Sequence, residues 1–315
     1  MEKYDVIIVG AACAGLSSAL YTGRRAMKTL VISKDIGGQA AITTEIENYP
    51  GTGTITGPGL MNKFKEQAEA AGAEIKLTAV TKIEKINGTF KVTTADAEYE
   101  AVAVILAFGL SHRKLNVPGE DELLGRGVAY CATCDGPLFK NKVVGVVGGG
   151  NSALDATDYL ADLASKVYMF VRKDSFRGDE TTLIKEVEEN ENIDIKFGTS
   201  VTEIVGEQRV EKVKLNTGEE IELDGLFIEI GYVTQTEFVK DLVDLDERGQ
   251  IIVDAEQNTT TAGIFAAGDV TTSPFKQAVI SAGDGAKAAL SATRYIKQMR
   301  GEEDKPDWTT RAKKK

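Results

Sequence analysis

Two glycine-rich segments, Gly10-Ala-Ala-Cys-Ala-Gly15 and Gly148-Gly-Gly-Asn-Ser-Ala153, decide the fold of this 315-residue chain. Each follows a short apolar run, at residues 4–9 and 143–147, and precedes apolar residues at helical spacing. A glycine turn between a strand and a helix presents backbone N–H groups and the positive helix end to a diphosphate. The two segments therefore predict two dinucleotide-binding βαβ units, about 140 residues apart.

The two loops differ in how closely they follow the dinucleotide pattern. Gly148, Gly150 and Ala153 match G-x-G-x-x-A fully, with Asn151 and Ser152 between them. The first loop has Ala12 where the middle glycine belongs. One methyl group narrows the approach of a ligand without closing it. The alternative is that the glycines of the first loop only permit a tight turn.

The elements after each loop recur in the same order. A strand, a helix, a hairpin and an apolar strand follow, ending near Gly109 in the first unit and at residues 226–230 in the second. The pattern predicts an α/β fold with two Rossmann-like domains, each a parallel sheet with a β-meander. The last segment predicts strands at 251–253 and 263–267 and a long helix over 276–299. If it docks onto the first unit, that domain is discontinuous.

Composition narrows the classes of partner. The chain has 37 Lys and Arg against 48 Asp and Glu, a net charge of −11, which would repel nucleic acid and anionic membrane surfaces. The N-terminus has no leader pattern, and no window holds about 18 uncharged apolar residues. We expect a cytoplasmic protein that binds neither nucleic acid nor membrane.

The end of the second strand of each unit indicates which dinucleotide it binds. An acidic side chain there accepts a ribose 2′-hydroxyl, whereas basic side chains accommodate a 2′-phosphate. The second unit offers Arg172, Lys173 and Arg177, which favours NADPH. The alternative is a solvated basic turn. The first unit ends in Ser33-Lys34-Asp35, which favours a different dinucleotide such as FAD.

A C-x-x-C pair, Cys131-Ala-Thr-Cys134, lies just before the second loop. This spacing permits a disulfide and a lowered thiol pKa, and the alternative is half of a zinc site. Zinc prefers four ligands, which would require Cys13 and the single histidine as well. Asp135 is either part of an Asp-Gly turn or a proton donor beside the thiol pair. We predict no metal site.

The chain resembles the low-molecular-weight thioredoxin reductases from residue 4 to about residue 300. The motif Cys131-Ala-Thr-Cys-Asp-Gly136 is similar to the redox centre of that family, and Gly148-Gly-Gly-Asn-Ser-Ala153 to its NADPH loop. The flavin-domain signatures have counterparts in four segments, namely Gly37-Gly-Gln39, Glu47-Asn-Tyr-Pro-Gly51, Gly263-Ile-Phe-Ala-Ala-Gly-Asp269 and Lys276-Gln277-Ala278.

The resemblance implies an FAD domain of residues 1–116 and 247–315, an NADPH and redox-disulfide domain of residues 117–246, and a homodimer. Electrons would pass from NADPH through FAD to a Cys131–Cys134 disulfide, with Cys134 facing the flavin and Cys131 attacking the disulfide of thioredoxin or a thioredoxin-like protein. The implied flavin-binding residues are Gly10, Gly15, Gly38, Gln39, Asn48, Gly109, Gly268, Asp269, Lys276, Gln277 and Ala278. The implied nucleotide-binding residues are Gly148, Gly150, Asn151, Ser152, Ala153, Arg172, Lys173 and Arg177, and the catalytic ones are Cys131, Cys134 and Asp135.

The chain departs from the family at two places. The Ala-Thr-Gly of the family is Ala107-Phe108-Gly109 here, and its first histidine before the arginine pair is Val171. Other donors, namely NADH, ferredoxin or a deazaflavin, and a peroxiredoxin system as acceptor stay open, as does a redox sensor that does not turn over. The tail from Gly301 is expected to be a solvated extension, the alternative being that Trp308 covers part of the flavin site.

Overall fold

The computed structural model describes residues 1–43, 45–178 and 180–302. Trp308 therefore lies outside the described residues. The chain divides into two compact units. The first comprises residues 1–41, 58–110 and those from 234 onward, and the second comprises residues 42–57 and 111–233. The first unit is thus discontinuous in sequence, and the division falls at residues 110 and 233, whereas the domain limits at 116 and 246 stay a prediction.

The first unit is built on a seven-stranded sheet in the order β3-β2-β1-β6-β5-β4, with β17 paired to β6. Five strands are parallel, and β4 and β5 form the antiparallel meander. Its strands are β1 (Glu2–Val9), β2 (Thr29–Ser33), β3 (Glu74–Leu77), β4 (Val80–Ile86), β5 (Thr89–Thr94), β6 (Glu98–Leu106) and β17 (Ile264–Ala266). Its helices are α1 (Cys13–Arg24), all but the last residue of α2 (Gly38–Ile42), all but the first residue of α3 (Gly57–Ala70), and α7 (Ala278–Met299).

Strand β1 shows why this sheet is buried on both faces. Val6 and Ile8 pack into one apolar cluster with α1 and α7, and Ile7 and Val9 pack into a second cluster on the opposite face. Successive side chains of a strand point to opposite faces, so a continuous apolar run is required where both faces are covered.

The second unit holds a five-stranded parallel sheet in the order β11-β10-β9-β15-β8, a three-stranded antiparallel sheet β12-β13-β14 and the pair β7-β16. Its strands are β7 (Ser111–His112), β8 (Val128–Ala129), β9 (Val143–Val147), β10 (Lys166–Val171), β11 (Ile193–Phe197), β12 (Val201–Val205), β13 (Lys212–Leu215), β14 (Glu220–Glu222), β15 (Gly225–Ile228) and β16 (Tyr232–Val233). Its helices are α4 (Ala132–Asp135), α5 (Asn151–Ala161) and α6 (Thr181–Glu189). The α/β class with two repeated parallel-sheet units is confirmed.

One predicted strand is wrong. Residues 251–253 form no strand, because Ile251 makes only single bridges, to Leu245 and to Thr271. The side chain of Ile251 is fully buried, so its apolar character reflects packing against the sheet rather than a ladder of backbone bonds. No helix among the described residues is long and apolar enough to cross a membrane.

Helices α1 and α7 approach each other at backbone distance. The hydroxyl of Ser18 donates to the carbonyl oxygens of Ala14 and Gly285, both at 2.9 Å. A methyl group at Gly285 would collide with the Ala14 carbonyl, whereas one at Gly283, also in α7, would meet nothing within 4 Å. The absence of a side chain at Gly285 therefore sets how closely the two helices pack.

We expect Gly285→Ala to lower the free energy of unfolding by about 1–3 kcal/mol, because the added methyl group forces α1 and α7 apart. Gly283→Ala is the matched control in the same helix, and it should be neutral or stabilise by up to about 1 kcal/mol through helix propensity. Thermal unfolding followed by circular dichroism measures both, and equal midpoints for the two variants would contradict the packing argument.

Candidate functional site

The first glycine loop is shaped by backbone approaching backbone. Gly10 has φ +111°, and a methyl group there would collide with the Ala107 carbonyl, while one at Gly15 would collide with the carbonyl of Gly10. The turn itself therefore requires both glycines, whether or not a ligand is bound. The argument for a cofactor depends on the polar groups that surround this turn.

Cys13 is the first residue of α1 and lies beneath this loop. Its thiol is 4% exposed and lies 3.9 Å from the Met61 sulfur. Burial, with a smaller contribution from the Asp269 carboxylate, raises the pKa of this thiol to about 12. Cys13 is therefore a neutral buried thiol, and its chemistry is separate from that of the C-x-x-C pair.

Asp269 lies in the short turn after β17, at the carboxyl end of the parallel strands. The Ser281 hydroxyl donates to its Oδ1 at 2.8 Å, and burial raises the pKa of the carboxyl above its usual value. The Lys276 ammonium donates to the carbonyl oxygens of Asp269 at 3.0 Å and Thr271 at 2.8 Å, and burial lowers its pKa. A half-buried carboxyl oriented by a hydroxyl suits a ligand that carries hydroxyl groups.

The other predicted flavin-binding residues are distributed over both units. Gly38 begins α2, and its N–H donates to the Asp35 carboxylate at 2.9 Å, so this carboxylate stabilises the turn. Gln39 follows in α2, Gly109 has φ +65° with open space beside it, Gly268 starts the turn that holds Asp269, and Gln277 and Ala278 begin α7. Asn48 is exposed and belongs to the second unit.

The second loop combines close packing with open space. A methyl group at Gly148 would collide with the Glu229 carbonyl and lie close to the Ala153 side chain, whereas one at Gly150 would meet nothing within 4 Å. Gly150 is the N-cap of α5, which continues with Asn151 and Ser152. The space at Gly150 lets a ligand reach the N-terminal backbone of α5, which fits a nucleotide diphosphate.

The basic residues after β10 are brought to this loop by backbone hydrogen bonds. The Arg177 N–H donates to the Gly149 carbonyl at 2.6 Å, and the Gly178 N–H donates to the same oxygen at 3.2 Å. Arg172 and Lys173 follow β10 directly, and the side chains of all three basic residues are exposed. The fold therefore places three cations around the glycine loop, where water screens each of them.

Cys131 and Cys134 form a disulfide, with Cα atoms 5.3 Å apart. Cys131 is the N-cap of α4, and the Asp135 N–H donates to its carbonyl at 3.1 Å, closing one helical turn around the pair. Burial raises the pKa of the Asp135 carboxyl to about 6. Among the residues that the structure describes, no group of three or more His, Cys, Asp or Glu could hold a metal ion.

Glu229 is a residue that sequence reasoning missed. It follows β15 directly, and burial raises the pKa of its carboxyl to about 8. The available signal was an acidic side chain inside the predicted apolar strand 226–230. A strand prediction treats such a residue as an interruption, whereas the sheet places it at the ligand-facing edge.

Three comparisons place this geometry among known proteins. The family model for pyridine nucleotide-disulphide oxidoreductases matches residues 4–285. A thioredoxin reductase of Treponema pallidum is 45% identical over 300 residues, 93% of this chain and 97% of that protein. The flavoenzyme-length match to an alkyl hydroperoxide reductase component of Staphylococcus aureus is 42% identical over 94% of this chain but only 59% of that protein.

A solved structure agrees with the sequence relatives. The crystal structure of thioredoxin reductase from Streptococcus pyogenes superposes with a TM-score of 0.88 at 38% identity, over 94% of this chain and 99% of that one. Both the identity and the coverage exceed what a shared fold alone would produce. The chain belongs to the pyridine nucleotide-disulphide oxidoreductase family and, within it, to the thioredoxin reductases.

Proposed function

We propose that the chain transfers electrons from NADPH, through FAD and the Cys131–Cys134 disulfide, to the disulfide of thioredoxin. The observation that carries this proposal is the disulfide at the start of α4, inside the unit that also holds a complete dinucleotide loop. A chain 45% identical to a thioredoxin reductase over nearly its whole length supports the same reaction.

The residues of the first unit fit FAD, which thioredoxin reductases contain together with a requirement for NADPH. Asp269, oriented by Ser281, would accept a hydrogen bond from the flavin side chain, and the N-terminal backbone of α1 would hold the diphosphate. When bound, FAD supplies a two-electron carrier between a nicotinamide hydride and a disulfide.

The reduced cysteine pair exchanges with the partner disulfide. The Cys131 thiolate attacks one sulfur of the thioredoxin disulfide, which forms a mixed disulfide and releases the other sulfur as a thiolate. Cys134 then attacks the Cys131 sulfur, the Cys131–Cys134 bond forms again, and thioredoxin leaves as a dithiol. We assign Cys131 to the attack because it begins the helical turn that Cys134 follows.

Asp135 would supply the proton that this exchange requires. With a pKa of about 6, its carboxyl is protonated in about a tenth of molecules at pH 7. A group that titrates close to the working pH donates and recovers a proton most efficiently. Its place at the end of α4 puts it one residue from Cys134.

Two further features of the proposal follow from the same relationship. We propose that two copies form a homodimer, which light scattering of the purified holoenzyme would test. We also propose a cytoplasmic protein, because Cys13 is a free thiol and the other two cysteines form the redox pair, with none in a purely structural disulfide.

A peroxiredoxin system is the second candidate acceptor, because the Staphylococcus aureus hydroperoxide reductase component is 42% identical. Anaerobic mixing of the yellow holoenzyme with NADPH or NADH, followed by thioredoxin, discriminates the candidates. The proposal expects the flavin colour to bleach with NADPH and to return with thioredoxin. Bleaching without recovery would favour another acceptor or a sensor, and no bleaching with either nucleotide would favour ferredoxin or a deazaflavin as donor.

The roles of the two cysteines predict different variants. Cys134→Ser should abolish NADPH-dependent reduction of thioredoxin while reduction of the bound flavin by NADPH persists, because the sulfur assigned to face the flavin is lost. Cys131→Ser should also stop turnover but should leave a thiolate beside the flavin, seen as a long-wavelength absorption band. Stopped-flow absorbance compares the two, and wild-type thioredoxin reduction by Cys134→Ser would contradict the assignment.

Asp269→Ala should weaken FAD binding by about 10- to 150-fold, because one hydrogen bond to a charged group contributes about 1.5–3 kcal/mol. The flavin content after exhaustive dialysis measures this loss. Asp241→Ala is the matched control, an exposed aspartate of the same unit. Equal flavin retention by both variants would mean that Asp269 only stabilises the turn.

Cofactor choice tests the basic cluster. We expect wild type to prefer NADPH over NADH by about 30- to 1000-fold in kcat/KM, after discounting the exposed cations for screening by water. The double variant Arg172→Ala with Arg177→Ala should lose most of this preference through poorer use of NADPH, with NADH nearly unaffected. Arg209→Ala, an exposed arginine of the same unit, is the control. An unchanged preference in the double variant would identify the cluster as a solvated turn.

A further inference from the structure

Glu229 occupies the topological switch point of the second sheet. In the order β11-β10-β9-β15-β8, the chain runs from β9 to β10 on one side, and β15 lies on the other side of β9. Ligands of open parallel sheets bind at this point, beyond the carboxyl ends of the strands. Glu229 is the residue directly after β15, so it stands where a dinucleotide held by the glycine loop would cross the sheet.

Its contacts connect three parts of the second unit. The Glu229 N–H donates to the Val147 carbonyl at 2.8 Å, which continues the ladder between β15 and β9. Its own carbonyl lies against Gly148, where a side chain would collide with it. Its carboxyl accepts a hydrogen bond from the N–H of Ala132, the residue after Cys131. Glu229 thus touches both the nucleotide loop and the redox helix.

The titratable groups around this carboxyl are acidic. Helix α5 presents Asp155, which raises the pKa of Glu229 further, and carries Asp158 one turn on. Helix α4 carries Asp135 and the disulfide. Strands β8 and β9 and the three glycines of the loop carry no titratable side chain. Burial is the larger cause, and together these effects raise the pKa of Glu229 to about 8.

We propose that Glu229 determines nucleotide affinity by taking up a proton when NADP(H) binds at the glycine loop. This inference rests on the proposed function, which places NADPH at that loop. A bound diphosphate adds negative charge beside a half-buried carboxyl, and a like charge in a partly desolvated site disfavours ionisation. The proton comes from solvent, and nucleotide and proton therefore bind with positive coupling.

The sign of the pH dependence follows from this coupling. Because the carboxyl binds its proton more tightly in the complex, nucleotide affinity is highest below the pKa of free Glu229 and falls as pH rises through about 8. If the nucleotide raises this pKa by about one unit, the dissociation constant increases about five- to tenfold between about pH 7 and pH 9.5. The 2′-phosphate of the nucleotide has completed most of its titration below this range, since a phosphate monoester titrates near pH 6.

The test is isothermal titration calorimetry of the oxidised holoenzyme with NADP⁺, which cannot reduce the flavin. Wild type should show the five- to tenfold loss of affinity and should take up about half a proton near pH 8.5, measured in buffers of different ionisation enthalpy. Glu229→Gln keeps an oxygen acceptor for the Ala132 N–H but cannot titrate, so its dissociation constant should change by less than about twofold over the same range.

Two further variants keep the test independent of how well Glu229→Gln folds. Asp155→Asn removes the neighbouring charge and should move the midpoint of the pH dependence downward without abolishing it. Glu222→Gln, an exposed glutamate in β14, is the matched control and should behave as wild type.

The outcomes separate this inference from the proposed function. Binding of NADP⁺ with no proton uptake in wild type, or a wild-type pH dependence retained in Glu229→Gln, would overturn the role of Glu229 and leave the proposed function intact. Failure of wild type to bind NADP⁺ at any pH would overturn both.

Discussion

The close approach of backbone to backbone at the carboxyl ends of the parallel strands is the constraint on which both units depend. In the first unit, the turn after β1 fits only because Gly10 and Gly15 lack side chains, and α7 reaches α1 only because Gly285 does. In the second unit, Gly148 meets the carbonyl of Glu229 in the same way. Where strands, turns and helices meet this closely, backbone N–H groups become the main polar surface, and a diphosphate is the ligand that suits them.

The two units use this shared constraint for different chemistry. The first surrounds its loop with a half-buried carboxyl and a hydroxyl, Asp269 and Ser281, and keeps its only cysteine as a neutral thiol. The second surrounds its loop with exposed cations and places a disulfide and two acids with raised pKa values, Asp135 and Glu229, at the same edge of the sheet. Burial is the largest cause of each raised pKa, and it acts at the ends of strands where the apolar core meets the ligand site.

The disulfide depends on both features of the second unit. Helix α4 is only one turn long, so it is not stabilised by its own hydrogen bonds. It is held by the neighbouring strand β8 and by the bond from the Ala132 N–H to the Glu229 carboxyl. A redox pair on such a short element takes its geometry from the sheet, which explains why it lies in the nucleotide-binding unit and not on a separate domain.

The sequence by itself determined the two glycine loops, the repeated βαβ order, the C-x-x-C pair and the hairpin turning at Asn87-Gly88, because each is a local pattern in which backbone conformation depends on neighbouring residues. The flavin-domain residues were predicted through resemblance to a family, since Asp269 and Lys276 follow no local rule that assigns them to a cofactor. Only the tertiary structure decided that Ile251 makes single bridges, that Cys13 is buried under Met61, and that Arg177 folds back onto Gly149. It alone placed Glu229 against both the glycine loop and the redox helix. These are contacts between segments far apart in the chain, and a charge inside an apolar strand acquires its raised pKa only once the sheet has removed it from water.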